Sequence, residues 1–277
     1  MWQALTVCKV RHSLFAIPLP MLLLVDIGNQ QTKWAWAHGP RTVRVAATTP
    51  TGELHKALLK ILSRAPCVPH AVVACSVVPE ATAALRNAVR NLAGSLQLFI
   101  LDYAGFCRVM RTSVKPQIEP GADRLANALA LRELYTLPAC ALDAGSALTL
   151  EIVDARGCFI GGAIAPGAAL QLAALQQGTS QLGRIERLPR ATPQRGTTTA
   201  AAMAIGIRAG LAGAACAFVE HVTAQLKQPP ATTVVSGGDA RLLLSGLRKR
   251  FAAVRHDPLL PLRGLACYYR DAGRNTQ

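Results

Sequence analysis

A chain of 277 residues with 51% hydrophobic and 16% charged side chains can bury one large core or two ordinary ones, which excludes a disordered protein. The net charge is +15, but the basic residues are scattered, aromatics make up 5%, and no zinc-finger, RRM or basic-zipper pattern accompanies them. A solvated basic surface is the simpler reading, and nucleic acid is not an expected partner. Eight cysteines without CxxC spacing and six histidines without HExxH spacing point to a reducing cytoplasm and no transition-metal centre.

In chain order, Lys9 and Arg11 precede the apolar run SLFAIPLPMLLLV, and Ala35-Trp36-Ala37 imitates a signal cleavage site. Cleavage there would discard Asp26 and Lys33, and Pro18 and Pro20 break the run as a helix. Residues 1–20 are therefore expected to be a loosely held extension, with Met21 a candidate start. No stretch reads as long and apolar enough for a membrane span. Met21–Asp26 reads as a buried strand, followed by strands at Lys33–Ala37 and Thr42–Thr48 in an antiparallel meander. Leu54–Arg64 has helical apolar spacing at 54, 58, 61 and 62. A buried strand in HAVVACSVVP, a helix over Glu80–Leu92 and a strand over Gln97–Leu101 follow. Residues 104–120 look irregular, and Pro120-Gly121 opens a helix over Ala122–Tyr135.

The plan then restarts. A strand ending in Asp143, a second over Thr149–Val153, a turn at Asp154–Gly157 and a third strand over Cys158–Ile164 repeat the first meander. Helices are expected at Ala168–Gln177 and Thr199–Leu226, separated by an Arg/Pro-rich loop at 184–196. TTVVSGGDARLLLSGL reads as strand, glycine turn and helix. A duplication of this size predicts two similar lobes facing across a cleft, divided near Leu137-Pro138. The expected units are an extension at 1–20, a first lobe at 21–137 and a second at 138–277.

A buried strand ends in a carboxylate only if something repays its desolvation. Asp26 and Asp143, each followed by x-Gly, would point into one cleft, where a cation or a cation-bound phosphate is the natural partner. Gly28, Asn29 and Gln30 supply turn N–H groups and Lys33 a positive charge, making a phosphate cradle unlike a Walker A loop. Taken alone, Asp26 could equally cap a turn, with Lys33 merely exposed; the repeat favours a shared site. Asp123 and Arg124 open a helix, where an acidic residue suits the dipole, and helix punctuation is the simpler reading of their spacing.

Acidic strand ends on duplicated lobes look like the actin/hexokinase/Hsp70 ATPase fold. This is an α/β class of two ribonuclease-H-like lobes, each with a mixed five-stranded sheet and helices. More narrowly, DIGNQQTKW, GADRLANALA, DAGSALTLEIVD, GGAIAPG and SGGDARL occur in the order seen in type III pantothenate kinases, a resemblance running from Leu22 to about Leu244. It implies transfer of a phosphoryl group from ATP to pantothenate, giving 4′-phosphopantothenate at the start of coenzyme A synthesis. Asp123 would be the general base on the substrate hydroxyl. Gly121, Ala122, Asp123, Arg124 and Thr199 would form the pantothenate site, with Arg124 on the carboxylate and Thr198 competing with Thr199. Asp26, Ile27, Gly28, Asn29, Gln30, Gln31, Thr32, Lys33 and Ser146 would bind ATP with Mg2+, and Gly237-Gly238 resemble the glycine turn near the nucleotide. Asp143 would hold a monovalent cation, K+ or NH4+.

The resemblance also implies a homodimer, and the small residues of helix 199–226 would suit either that interface or packing within one subunit. The chain departs from the family pattern at Gln30-Gln31, at Leu148, and in having Val114, Lys115 and Pro116 where a tyrosine is common. Two other functions fit part of these features: a transcription accessory protein that only binds, and a sugar or acetate kinase on the same fold.

Overall fold

The structure is a computed structural model describing residues 20–92, 96–115, 119–179 and 191–274, together with Leu182, Ile185, Leu188 and Pro189. The extension expected at 1–20, apart from Pro20, lies outside the described residues, as do Pro116 and part of the 184–196 loop.

The first half comprises β1 (Leu22–Ile27), β2 (Gln31–Ala37), β3 (Arg44–Pro50), α1 (Leu54–Leu62), β4 (Ala71–Ser76), α2 (Pro79–Asn91), β5 (Gln97–Ile100), α3 (Tyr103–Val109) and α4 (Ala122–Leu134). The second comprises β6 (Ala139–Ala144), β7 (Ala147–Val153), β8 (Phe159–Pro166), α5 (Ala168–Gly178), α6 (Thr199–Leu226), β9 (Thr232–Ser236), α7 (Ala240–Arg250), β10 (Val254–His256) and α8 (Leu260–Arg274). The strands form two five-stranded sheets, in the orders β3-β2-β1-β4-β5 and β10-β9-β6-β7-β8. In each, the first strand pairs antiparallel with the second and parallel with the fourth of its set, so both sheets are mixed and the duplication holds strand for strand.

Alternation along β1 and β6 decides where the carboxylates go. Side chains of successive strand residues point to opposite faces. On β1, Leu23, Val25 and Ile27 join Leu58 and Leu85 in a core under α1 and α2, while Leu22 and Leu24 face the other way. On β6, Cys140 and Leu142 pack towards α6 and α7, while Ala139 and Ala141 share the inner core with Leu22 and Leu24. Asp26 and Asp143 continue the inward-facing sets.

The inner core is filled by α4 and α8. Helix α4 touches β4, β6 and β7, and α8 crosses α4 and reaches β1, β4 and α3. The crossing is close because Gly264 has no side chain; a methyl group there would overlap the Ala126 carbonyl. Thus α8, from the C-terminal half of the chain, closes the inner face of the first sheet.

Two expectations need correcting. The irregular stretch expected at 104–120 begins with α3, which Asp102 caps by accepting from the Gly105 N–H at 2.6 Å and Phe106 anchors in the core. Residues 111–115 then run beside β8, with Thr112 bridged to Phe159. The second correction concerns α6, which is apolar and long enough to span a membrane by length and composition, with mean hydropathy 1.7. It instead lies on the second sheet, burying Met203, Ile207, Leu211, Val219 and Val222. From Ala202 to Ala217 its exposed residues are Ala and Gly, with Glu220, His221 and Gln225 exposed further on.

Candidate active site

Strand pairing brings the first charges together. In the β1–β2 register Asp26 lies opposite Lys33, and in the β1–β4 register opposite Cys75. Neighbours opposite one another share a face, so all three point inward. The Cys75 thiol donates to Asp26 Oδ1 at 3.5 Å. Burial pushes Asp26 up to about 6; Lys33 opposes this, while Asp123 and Asp143 add to it. Asp143 is also raised by burial, opposed by the same Lys33 and pushed further by Asp123. One ammonium therefore acts on carboxylates of both lobes, and the carboxylates act on one another.

Asp123 stands between them in the first turn of α4. Gly121 precedes the helix with φ −53° and ψ 139°, and a side chain at Gly121 would strike Asp123 Oδ1 at 2.6 Å. Asp123 accepts from the Arg124 N–H at 2.8 Å, yet burial dominates and raises its carboxyl above the usual range. A carboxylate raised in this way is a better proton acceptor at neutral pH.

Two residues missed by sequence reasoning complete the cluster. Asn127, one helical turn after Asp123, donates through Nδ2 to Asp143 Oδ2 and to Glu151 Oε2, each at 3.3 Å. Its Oδ1 is buried without a hydrogen-bond partner among the described residues. Glu151 is fully buried; desolvation lifts it to about 7 despite the Arg124 Nε at 2.9 Å. The signals were present. Asn127 follows Asp123 at the i, i+4 spacing of one helix face, and Glu151 interrupts the apolar run of LTLEIV.

The remaining candidates divide. Asn29 and Gln30 are exposed at the tip of the β1–β2 turn, which closes through Gly28 N–H to the Gln31 carbonyl at 3.0 Å. Gln31 is exposed at the start of β2. Ile27 and Thr32 do not reach the cleft with their side chains. Ile27 packs in the outer core, and buried Thr32 meets Thr51, whose hydroxyl donates to the Gly28 carbonyl at 2.7 Å. These two shape the turn from behind. Ala122 is buried in the inner core. Arg124 uses Nε on Glu151 and Nη2 on the Leu150 carbonyl at 3.0 Å. Ser146 is exposed in the β6–β7 turn, and Leu148 faces the outer core rather than the cleft. Thr199 is exposed in the first turn of α6, whose cap is Thr198, accepting from the Ala201 N–H at 3.2 Å.

Beyond β9, Gly237 has φ +90°, and a side chain there would overlap the Ala144 carbonyl and Asp143 Oδ1. This glycine lets the turn close over the end of β6, fixed by the Asp239 N–H to the Ala144 carbonyl at 2.9 Å. Next to it lies a cavity of about 430 Å3 bordered by Leu172, Arg208, Asp239 and Leu242.

The model of the family described as type III pantothenate kinase matches residues 22–221, which include every one of these charged groups except Asp239. The chain belongs to that family. A type III pantothenate kinase of Parafrankia sp. is 32% identical over 263 residues, covering 93% of this chain and 99% of that one. Among solved structures, a ROK family glucokinase of Streptomyces griseus, solved with glucose and AMPPNP, superposes with a TM-score of 0.54 at 12% identity, covering 92% of this chain and 99% of that one. An archaeal actin homologue, Ta0583, gives 0.51 at 13% identity, with 92% and 99% covered. These two establish the fold: the actin/hexokinase-like ATPase architecture expected from the repeated strand ends. As a type III pantothenate kinase the chain is an ATP-using phosphotransferase of coenzyme A biosynthesis, and its substrate is pantothenate.

Proposed function

We propose that Asp123 takes the proton from the primary hydroxyl of pantothenate as that oxygen attacks the γ-phosphorus of ATP. ADP leaves, and 4′-phosphopantothenate forms. The observation supporting this is the mutual electrostatic influence of Asp26, Asp123, Asp143 and Lys33 at the mouth between the sheets. Phosphoryl transfer needs neutralised phosphates and an aligned nucleophile more than covalent help from the protein. Lys33 with the turn at Gly28, Asn29, Gln30 and Gln31 would hold the phosphates. Ser146 and the Gly237-Gly238 turn would flank the nucleotide, with its base towards the adjoining cavity.

Among the described residues no three acidic, His or Cys side chains form a closed metal cage. That fits Mg2+ arriving on ATP and meeting one or two carboxylates, as Mg2+ commonly does. When bound, it would neutralise phosphate charge. A monovalent cation fits a different spot, where Asp143 lies beside the unpartnered Oδ1 of Asn127. Arg124, held by Glu151, would offer its remaining guanidinium donors to the pantothenate carboxylate, and Thr199 would contact the same substrate. Exposed Ala202, Gly206, Ala209, Gly213 and Ala217 form a smooth outer face on α6, and nothing lies within 4 Å of a side chain placed at Gly206 or Gly213. We assign this face to a homodimer. Light scattering of Gly213→Glu should report a monomer, against a dimer for the parent chain.

Coupled measurement of ADP tests the chemistry. Wild type should release ADP only with pantothenate. Asp123→Asn should bind both substrates but turn over about 10²- to 10⁴-fold more slowly. Unchanged turnover in that variant, or ADP release that a sugar or acetate supports and pantothenate does not, would overturn the assignment. A protein that only accompanies transcription has no use for a buried general base opposite a lysine, so the accessory reading is not favoured.

A further inference from the structure

One cavity lies far from this chemistry, at the opposite ends of β6 and β9. Its volume is about 760 Å3, within the range of small-molecule sites, and its wall includes Arg41, Tyr135, Arg255, His256, Asp257 and Arg263. The wall comes from both lobes: Arg41 from the β2–β3 connection, Arg255 and His256 from β10, Tyr135 from the end of α4 and Arg263 from α8.

Arg263 organises it. Its Nη1 donates to the Pro40 carbonyl at 2.9 Å, and its Nε pairs with Asp257 Oδ2 at 2.9 Å. Arg41 follows Pro40, and Arg255 lies two residues before Asp257, so this one side chain fixes the backbone near both other arginines. The Asp257 charge is already answered, since Tyr135 also donates to Oδ2 at 2.7 Å. Arg41 and Arg255 are exposed and form no ion pair among the described residues. The N-terminal end of α8 borders the same space, where Asp257 Oδ1 caps it by accepting from the Leu259 N–H at 3.0 Å. Arg41 and Arg255 line the same hollow, and arginine suits phosphate oxygens, which it grips through paired N–H groups.

The geometry points to a second anion site in this cavity, one that binds a small phosphorylated compound with at least two negative charges between Arg41 and Arg255. It is separate from the phosphate cradle: Asp123 and Tyr135 lie at opposite ends of α4, about 18 Å apart at 1.5 Å per residue. An occupant would tie the first lobe to the second across the back of the cleft.

Inorganic pyrophosphate titrated calorimetrically into protein saturated with Mg–AMPPNP tests this. The nucleotide analogue occupies the cradle, so a saturating one-to-one isotherm that persists in its presence, weakens steeply with salt, and weakens at least tenfold in both Arg41→Ala and Arg255→Glu supports the site. Wild-type melting temperature and pantothenate turnover in these surface variants show that they remain folded. Absence of binding, loss of binding with AMPPNP, or equal affinity in the variants overturns the proposal. None of these outcomes depends on which acceptor the kinase phosphorylates.

Discussion

The two lobes share one strand plan and differ at the positions that carry charge. Position for position, β2 places Lys33 and Ala35 on the inner face where β7 places Thr149 and Glu151. The turns after the fourth strands diverge as well. After β4 the chain runs Val77-Val78-Pro79 into α2, with Val77 packed 3.5 Å from a side chain placed at Gly121; after β9 it runs Gly237-Gly238-Asp239, with open space over Gly238. The duplication thus supplies two matching carboxylates, while the substitutions give the first lobe a cation opposite Asp26 and the second an open turn and an anchor for Arg124. Equal scaffolds need not do equal work.

The largest test of that division concerns Glu151. Burial raises it from 4.5 to about 7, so the folded chain holds this proton more tightly than the unfolded chain. Its contribution to stability is complete below about pH 4.5 and is lost as pH climbs through 7. Urea unfolding should therefore show Glu151→Gln gaining on wild type between pH 5 and 8, by up to roughly 3 kcal/mol at about 1.4 kcal/mol per tenfold in proton affinity. A pH-independent difference would mean the carboxylate is fully satisfied by Arg124.

Swapping attention to the matched pair Lys33 and Thr149 sharpens the contrast. A charge-assisted hydrogen bond to phosphate contributes ~1.5–3 kcal/mol, so Lys33→Ala should lower kcat/KM for ATP by about 10- to 100-fold. Thr149→Ala should leave ATP dependence near the wild-type value. Equal losses from the two would remove the asymmetry. The smallest effect is on the turns themselves. Gly237→Ala forces an L residue to φ +90° against Ala144 and should cost about 1–3 kcal/mol in thermal unfolding. Gly28→Ala, whose nearest obstacle is the Gln31 carbonyl at 3.1 Å, should cost less.

How much of this was legible in the sequence follows the range of the interactions. The strands, the Asp-x-Gly ends and the start of α4 are written locally, in apolar runs, turn residues and a glycine before an acidic first turn. A hairpin register places Lys33 opposite Asp26, and that register is local too. Glu151 was hidden because its partner Arg124 comes from α4, and a lone charge within a strand names no partner. Helix α8 was hidden for the same reason. Pro261 and Gly264 count against a helix by propensity, and only packing on α4 and the first sheet outweighs them. Ile27 and Thr32 illustrate the converse: a motif read as a block includes residues that face away from the ligand and hold the turn from behind.

The crossing at Gly264 has a consequence for biosynthesis. The β1–β5 sheet leaves the ribosome early, yet the apolar surface that α8 covers stays open until some 150 residues more have been made, since α8 begins only at Leu260. A nascent chain stalled before that point would display the unfinished inner face to chaperones and proteases, and Asp123 would sit on a helix held by β4, β6 and β7 but not yet by α8.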